Sequence, residues 1–161
     1  MKSPGIRVAS GAMKGRKLEV PPGIRPTEQK VREALFSIWG ERLAEATLLD
    51  LFAGSGAVAI EAISRGALST TLVESNRSVI AALERNVAPL PRGSYRLLAL
   101  PAERALAELA RQAARFDLVF ADPPYSDAHR AIPELARLGI RIKVISGDTR
   151  YVTAHLAEAV G

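Results

Sequence analysis

Four consecutive residues, Asp122-Pro123-Pro124-Tyr125, bring together a carboxylate, two rigid backbone carbonyls and an aromatic ring. An exocyclic amine of a nucleobase is a poor nucleophile, because its lone pair is delocalised into the ring. The Asp122 carboxylate and the Pro123 carbonyl can accept hydrogen bonds from such an amine and orient it, while Tyr125 can stack on the extruded base. The tetrapeptide therefore predicts a clamp for a base amino group, with an ordinary proline turn as the alternative.

The glycine turn Gly54-Ser55-Gly56 is a second candidate site, placed between a strand-like run and an apolar segment with helical spacing. Glycines let a ligand approach the backbone, and a helix N-terminus offers unpaired N–H groups to an anion. Gly54, Gly56 and Ala59 also match the dinucleotide spacing G-x-G-x-x-[GA]. Glu74 closes the next strand, where it can hold ribose hydroxyls. We expect a nucleoside-containing cofactor here, with tight-turn packing as the alternative.

Asp50, at the strand end ahead of the glycines, favours one kind of cofactor. A carboxylate there attracts the ammonium group of an amino-acid-bearing cofactor and repels a pyrophosphate. The sequence also has no cluster of histidines suited to hydride-transfer chemistry, since His129 reads as a solvated residue and His155 as a lone histidine in a strand.

The elements that must position these residues alternate regularly between strand and helix. We expect strands near residues 47–51, 70–74, 95–99 and 116–121, and helices near residues 57–65, 77–87, 102–114 and 128–138. This alternation predicts an α/β fold with a doubly wound, mostly parallel sheet. Right-handed crossovers then bring the carboxyl ends of the strands to one edge, where ligands bind.

The two ends of the chain break this rhythm. Residues 6–20 predict a two-stranded β-ribbon with a basic glycine-rich turn, and Thr27 is a plausible N-cap for a helix whose apolar stripe ends at Trp39. Residues 140–145 and 151–156 predict a C-terminal antiparallel hairpin. We interpret residues 1–161 as one domain, with an N-terminal extension over residues 1–40 and a core over residues 41–161.

The charge of the chain is concentrated in its N-terminal fifth. The net charge is +5, but residues 1–32 hold eight basic and two acidic residues, so the remainder is close to neutral. This asymmetry indicates an arm that faces nucleic acid, with a solvated basic tail as the alternative. The absence of cysteine excludes thiolate metal sites. The sequence shows no signal peptide or membrane-length apolar run, so we expect a cytoplasmic protein.

Four motifs in one order resemble those of class I S-adenosylmethionine-dependent methyltransferases that act on exocyclic amines. More narrowly, the chain is similar to the bacterial 16S ribosomal RNA guanine-N2 methyltransferase family (RsmD-like). The motifs are residues 7–15, residues 25–27 with 31–36, residues 50–56 and residues 122–125. The resemblance covers roughly residues 6–126 and returns at the closing hairpin.

The resemblance implies a Rossmann-like fold and S-adenosylmethionine as cofactor, without a metal ion. The cofactor would be held by Asp50, Phe52, Ala53, Gly54, Ser55, Gly56, Glu74, Ser75, Pro101, Ala102 and Asp122. The base would be held by Asp122, Pro123, Pro124 and Tyr125. Together with the charge asymmetry, the resemblance implies RNA contacts by Arg7, Lys14, Arg16, Lys17, Arg25, Thr27 and Arg32, several of them to phosphates. The expected partner is ribosomal RNA, the small ribosomal subunit or an assembly intermediate, bound by a monomer.

The sequence departs from the family pattern in two places. Leu100-Pro101-Ala102 stands where many relatives have an acidic residue beside the adenine. After Leu138 the family has a further strand, helix and linker, whereas here the hairpin begins at about Ile140, so either a strand is missing or the sequence omits a stretch. Two rival functions remain: a DNA amino-methyltransferase, and a non-catalytic RNA-binding or assembly factor that keeps the fold.

Overall fold

A computed structural model describes residues 5–24, 29–124 and 128–137. Several expectations lie outside these ranges. They concern Arg25, Thr27 and its cap, Tyr125, and the C-terminal hairpin together with the join between Leu138 and Ile140.

The described core is built around a four-stranded parallel sheet. The strands in chain order are β1 (Ile6–Arg7), β2 (Lys17–Leu18), β3 (Thr47–Leu51), β4 (Ser69–Val73), β5 (Tyr95–Leu98) and β6 (Leu118–Ala121). The parallel sheet has the order β5-β4-β3-β6, whereas β1 and β2 form a separate antiparallel ribbon. The chain runs outward from β3 through β4 to β5 and then crosses back to β6. The strand order therefore reverses between β3 and β6, and such switch points are where open α/β sheets bind ligands.

Helices cover both faces of the sheet, which confirms the doubly wound α/β prediction. They are α1 (Gln29–Trp39), α2 (Ala57–Ser64), α3 (Arg77–Val87), α4 (Ala102–Arg111) and α5 (Ala128–Arg137), with a 3₁₀ turn over Gly40–Leu43. Leu48 of β3 packs with α1 and α2 on one face, and its neighbour Leu49 packs with α4 and α5 on the other. Successive residues of a strand point to opposite faces of the sheet, so β3 carries apolar side chains on both of its faces.

The prediction for α4 extended three residues too far. The helix ends at Arg111 because Ala113 adopts a left-handed φ of 51° and the Ala114 amide turns back to the Leu109 carbonyl. This is a common helix C-terminal arrangement, although it usually uses glycine. The sequence shows no glycine there, so composition gave no sign of the early stop.

The N-terminal ribbon packs on the core and does not project from it. Its apolar side chains Ile6, Val8 and Leu18 belong to one buried cluster with residues of α2 and α3. At the turn, a Cβ on Gly11 would overlap the Ser64 carbonyl oxygen, so only glycine allows the ribbon to approach the end of α2 this closely. The predicted core position of Trp39 is confirmed, since its side chain is buried.

Candidate active site

Three parallel strands end side by side at the switch point. Leu51 lies opposite both Val73 of β4 and Ala121 of β6, so the loops after these strands leave the sheet together. The next residues on the two flanking strands are Glu74 and Asp122. The structure therefore brings the predicted ribose-binding and amine-binding carboxylates to the same edge, on either side of the glycine turn.

The glycine turn is tight and conformationally constrained. Phe52, Gly54 and Gly56 have left-handed φ angles of 60°, 58° and 79°. Gly56 immediately precedes α2, and a Cβ there would lie 2.6 Å from Leu83 Cδ1 on α3. A left-handed conformation is unfavourable for a residue such as Phe52, so the surrounding contacts must hold the turn in place.

The Glu74 carboxylate holds the glycine turn against the next loop. Its Oε2 accepts a hydrogen bond from the Gly54 amide at 3.0 Å, and its Oε1 accepts from the Ser75 and Asn76 amides at 2.9 Å each. Each carboxylate oxygen has two lone pairs. Oε2 therefore keeps acceptor capacity for a hydroxyl that approaches the turn.

Asp50 is a buried carboxyl behind this edge, with only 1% of its surface exposed. Within the described part of the chain, neither of its side-chain oxygens has a hydrogen-bond partner of normal geometry. The pKa of Asp50 is raised to about 8, chiefly by burial; the like charges of Asp122 and Glu74 contribute to this rise, and the nearby Ala59 amide opposes it. A group with a positive charge would satisfy this carboxylate.

The described part of the amine clamp follows β6 directly. Asp122 and Pro124 are exposed and Pro123 is partly exposed, so the clamp faces solvent at the strand end. Proline has no amide hydrogen, which explains why the ladder stops at Ala121. Across the same edge, Pro101 caps α4 and its carbonyl accepts the Ala105 amide at 2.9 Å.

The basic residues of the ribbon fall into two groups. Lys14 and Lys17 are exposed, and Arg7 is exposed while donating to the Gly15 carbonyl at 2.8 Å. Arg16 instead lies half-buried, with its guanidinium donating to the Asn86 carbonyl and to Met13 Sδ. Arg16 therefore fastens the ribbon to α3, and two of its donors are engaged inside the protein.

Arg32 is placed differently from the RNA-facing position expected for it. It is 3% exposed, its Nε lies 3.6 Å from Glu61 Oε2, and its guanidinium donates to the Arg7 carbonyl at 3.2 Å. Glu61 also pairs with Arg65 at 2.7 Å, and Arg65 stacks over the Phe36 ring. The helical spacing of α1 turns Arg32 toward α2, so we correct its assignment to a buried structural pair.

Asn86 is a residue near the site that the sequence reasoning missed. Its side chain is buried on α3, where it donates to the Ser55 carbonyl of the glycine turn at 2.9 Å. The sequence signal was a polar residue on an otherwise apolar helix face, formed by Val79, Ala82, Leu83 and Val87. Buried polar side chains are almost always hydrogen-bonded. A buried asparagine therefore needs hydrogen-bond partners, but the helical spacing does not identify them.

The described residues contain no group of three potential metal ligands from histidine, cysteine, aspartate and glutamate. In the same residue ranges, no helix is both long and apolar enough to cross a bilayer.

The parallel sheet, its switch point and the glycine turn between two edge carboxylates define a Rossmann-like fold of the class I methyltransferase type. A protein described as a putative methyltransferase and solved in complex with SAH, 23% identical, has this fold, with a TM-score of 0.59 over 79% of this chain and 34% of its own. The chain belongs to the family described as conserved hypothetical protein 95, whose profile matches residues 6–154, and the RsmD-like resemblance is thereby confirmed.

Two further comparisons give more similar proteins. The ribosomal RNA small subunit methyltransferase D of Escherichia coli K12 is 43% identical over 122 residues, which are 74% of this chain and 60% of that protein. The chain thus matches about three fifths of that relative's length. A hypothetical protein from Thermus thermophilus is 37% identical, with a TM-score of 0.73 over 84% of this chain and 79% of its own.

Proposed function

We propose that this chain transfers a methyl group from S-adenosylmethionine to the exocyclic N2 amine of a guanine in small-subunit ribosomal RNA, in the cytoplasm. The observation that carries the proposal is the common edge at which Glu74, the glycine turn and Asp122 meet. The named activity of the Escherichia coli relative supports the reaction class and the RNA. The choice of guanine N2 rests on the family resemblance.

The residues present fit an amino-acid-bearing nucleoside. When bound, S-adenosylmethionine supplies an electrophilic methyl group on a positively charged sulfur. Asp50 would pair with its ammonium group, which gives the buried and unpartnered carboxylate the positive charge that it lacks. Glu74 would accept from ribose hydroxyls, and Pro101 and Ala102 would offer backbone and apolar contacts to the adenine. A pyrophosphate would instead meet the negative charges of Asp50 and Glu74.

Asp122 and Pro123 would hold the target amine. A carboxylate oxygen and a backbone carbonyl each accept one amine hydrogen, which fixes the nitrogen and directs its electron density toward the methyl group. Because Asp122 is exposed, the proton that the amine loses can pass to the carboxylate or to water. Tyr125 remains the candidate for stacking on the base.

The experiment compares methyl transfer from labelled S-adenosylmethionine to small-subunit RNA, both naked and assembled into particles, and to duplex DNA. We expect labelling by the unaltered protein, and nucleoside analysis should identify N2-methylguanosine. Asp122→Ala should reduce the rate at least about 100-fold, because the amine loses an acceptor. Asp122→Asn keeps one acceptor oxygen and should lose less.

The matched control is Asp117→Ala, at the opposite end of β6. Asp117 accepts from the Thr47 amide and hydroxyl at 2.8 and 2.9 Å, far along the strand from the glycine turn. This variant should retain methyl transfer. Equal labelling by Asp122→Ala would defeat the proposed clamp, absence of labelling by the unaltered protein would favour a binding factor, and labelling of DNA alone would change the substrate class.

A further inference from the structure

The Asn86 side chain connects the N-terminal extension to the glycine turn by hydrogen bonds. Asn86 Oδ1 accepts the Glu19 amide at 2.9 Å, and its Nδ2 donates to the Glu19 carbonyl at 2.9 Å. The same Nδ2 donates to the Ser55 carbonyl at 2.9 Å. The side-chain amide thus pairs with the Glu19 peptide as a neighbouring strand would, and uses its second hydrogen to hold the turn.

This bridge lies where the extension and the turn meet. Val20 and Ala53 pack against the same buried cluster, and the Ile24 side chain lies closest to the position that a Cβ on Gly54 would take, at 3.8 Å. Arg16 adds a contact to the Asn86 carbonyl. The extension therefore approaches the turn through the Ile24 side chain and through a buried amide whose oxygen and nitrogen are both hydrogen-bonded.

We infer that Asn86 is a positioning residue that couples RNA binding on the extension to cofactor binding at the glycine turn. The inference rests on the proposed function, since it takes these two surfaces as the sites of RNA and S-adenosylmethionine. Asn86 does not contact either ligand in this proposal. It acts by fixing Ser55 relative to Glu19.

The direction of the coupling follows from the hydrogen bonds. A displaced turn or a displaced extension would leave a buried amide or carbonyl without its partner, which is unfavourable. A cofactor that holds the turn in its bound arrangement therefore also favours the docked arrangement of the extension, and RNA bound to the extension favours the turn. Thermodynamic linkage makes the two effects equal in size.

The test measures the affinity of a small-subunit RNA transcript with and without S-adenosylhomocysteine. For the unaltered protein we expect the cofactor product to tighten RNA binding about 5- to 10-fold, in the usual range of coupling between sites. Asn86→Asp keeps an acceptor for the Glu19 amide but turns an oxygen toward two carbonyls. Asn86→Ala removes all three bonds without adding charge. We call the RNA affinity with S-adenosylhomocysteine divided by the RNA affinity without it the ratio of affinities. Both variants should bring this ratio close to one.

Ser64→Ala is the matched control, because it loosens the ribbon without touching the glycine turn. Ser64 Oγ accepts the Met13 amide at 2.9 Å and donates to the Ser10 carbonyl at 2.7 Å. This variant should bind RNA more weakly both with and without S-adenosylhomocysteine, and it should keep the ratio of affinities. A second measurement needs no variant: S-adenosylhomocysteine should slow hydrogen exchange of the Glu19 amide in the unaltered protein.

The outcomes separate this inference from the proposed function. If the unaltered protein binds both ligands but shows a ratio of one, or if the Asn86 variants keep the full ratio, the inference is overturned and the proposed function stands. The same holds if Ser64→Ala loses the ratio as the Asn86 variants do, or if the Glu19 amide exchanges at the same rate with and without ligand. If the unaltered protein binds neither ligand, both fail.

Discussion

Asp50 shows how a single buried residue can favour one class of ligand. Its carboxyl lies inside the sheet edge, without a hydrogen-bond partner of normal geometry among the described residues, and its pKa is raised to about 8, chiefly by burial. Below that pH the ligand-free protein holds Asp50 mainly as the neutral acid. Binding of an ammonium group would favour the ionised form, so a proton must leave as the ligand enters.

Affinity for S-adenosylhomocysteine should therefore depend on pH. Between pH 6 and 8 we expect it to rise with pH, by up to about tenfold per unit, because less free energy is needed to ionise Asp50 as the pH approaches its pKa. Calorimetry in buffers of different ionisation enthalpy measures the released proton directly. Asp50→Asn should bind more weakly at pH 8 and lose this dependence. A dependence that persists in the variant would assign the proton to another group.

At the scale of elements, the contact between α1 and α2 depends on a buried charge network. Glu61 of α2 is 1% exposed and lies between Arg32 of α1 and Arg65. Removing one member of a buried ion pair leaves an uncompensated charge in a poorly solvated place. The network therefore fixes how the extension's helix sits on the core.

Glu61→Gln should lower the free energy of unfolding by about 3 kcal/mol, because two guanidinium groups lose their buried counter-charge. Urea unfolding measures this change. The matched control is Glu33→Gln on the exposed side of α1, where Glu33 accepts only from Gln29 among the contacts described. It should change the free energy of unfolding by less than about 0.5 kcal/mol. If both variants lost a similar free energy of unfolding, burial of the glutamate would not explain the loss.

Elements were more predictable than contacts. The period of the apolar residues located every strand and α-helix of the described core but not the 3₁₀ turn over Gly40–Leu43, since the signal is local and needs many residues. Arg32 and Asn86 were not assigned correctly because their partners, Glu61 and Ser55, lie on other elements. A charged residue on a helix reads as exposed until the packing of two helices is known.

At the scale of the whole molecule, the structure shows which basic residues of the N-terminal segment are exposed on the surface. Lys14 and Lys17 are exposed on the ribbon, whereas Arg16 and Arg32 are engaged within the protein. The net charge of the N-terminal segment overestimates how many of its charges face solvent, and the RNA-facing role of the segment stays a prediction. The number of charges can be read from the sequence, whereas the accessibility of each charge to a phosphate depends on how the chain packs.

Replacing Lys14 and Lys17 together with alanine should reduce the salt dependence of RNA binding. We expect the slope of log affinity against log salt concentration to fall by about 1 to 2, because each lost phosphate contact removes released counterions. The control removes the same charge elsewhere, through Arg104→Ala with Arg115→Ala, both exposed. An equal fall in the control would mean that net charge, not the ribbon surface, governs binding.

The burial of Ile6, Val8 and Leu18 in one cluster with residues of α2 and α3 has a thermodynamic consequence for recognition. A basic arm that is disordered until it meets RNA loses conformational entropy on association and buries new apolar surface, which gives a large negative heat-capacity change. This ribbon is already folded against α2 and α3. RNA should therefore bind with a small heat-capacity change, and its association rate should be set by diffusion and charge and not by a folding step.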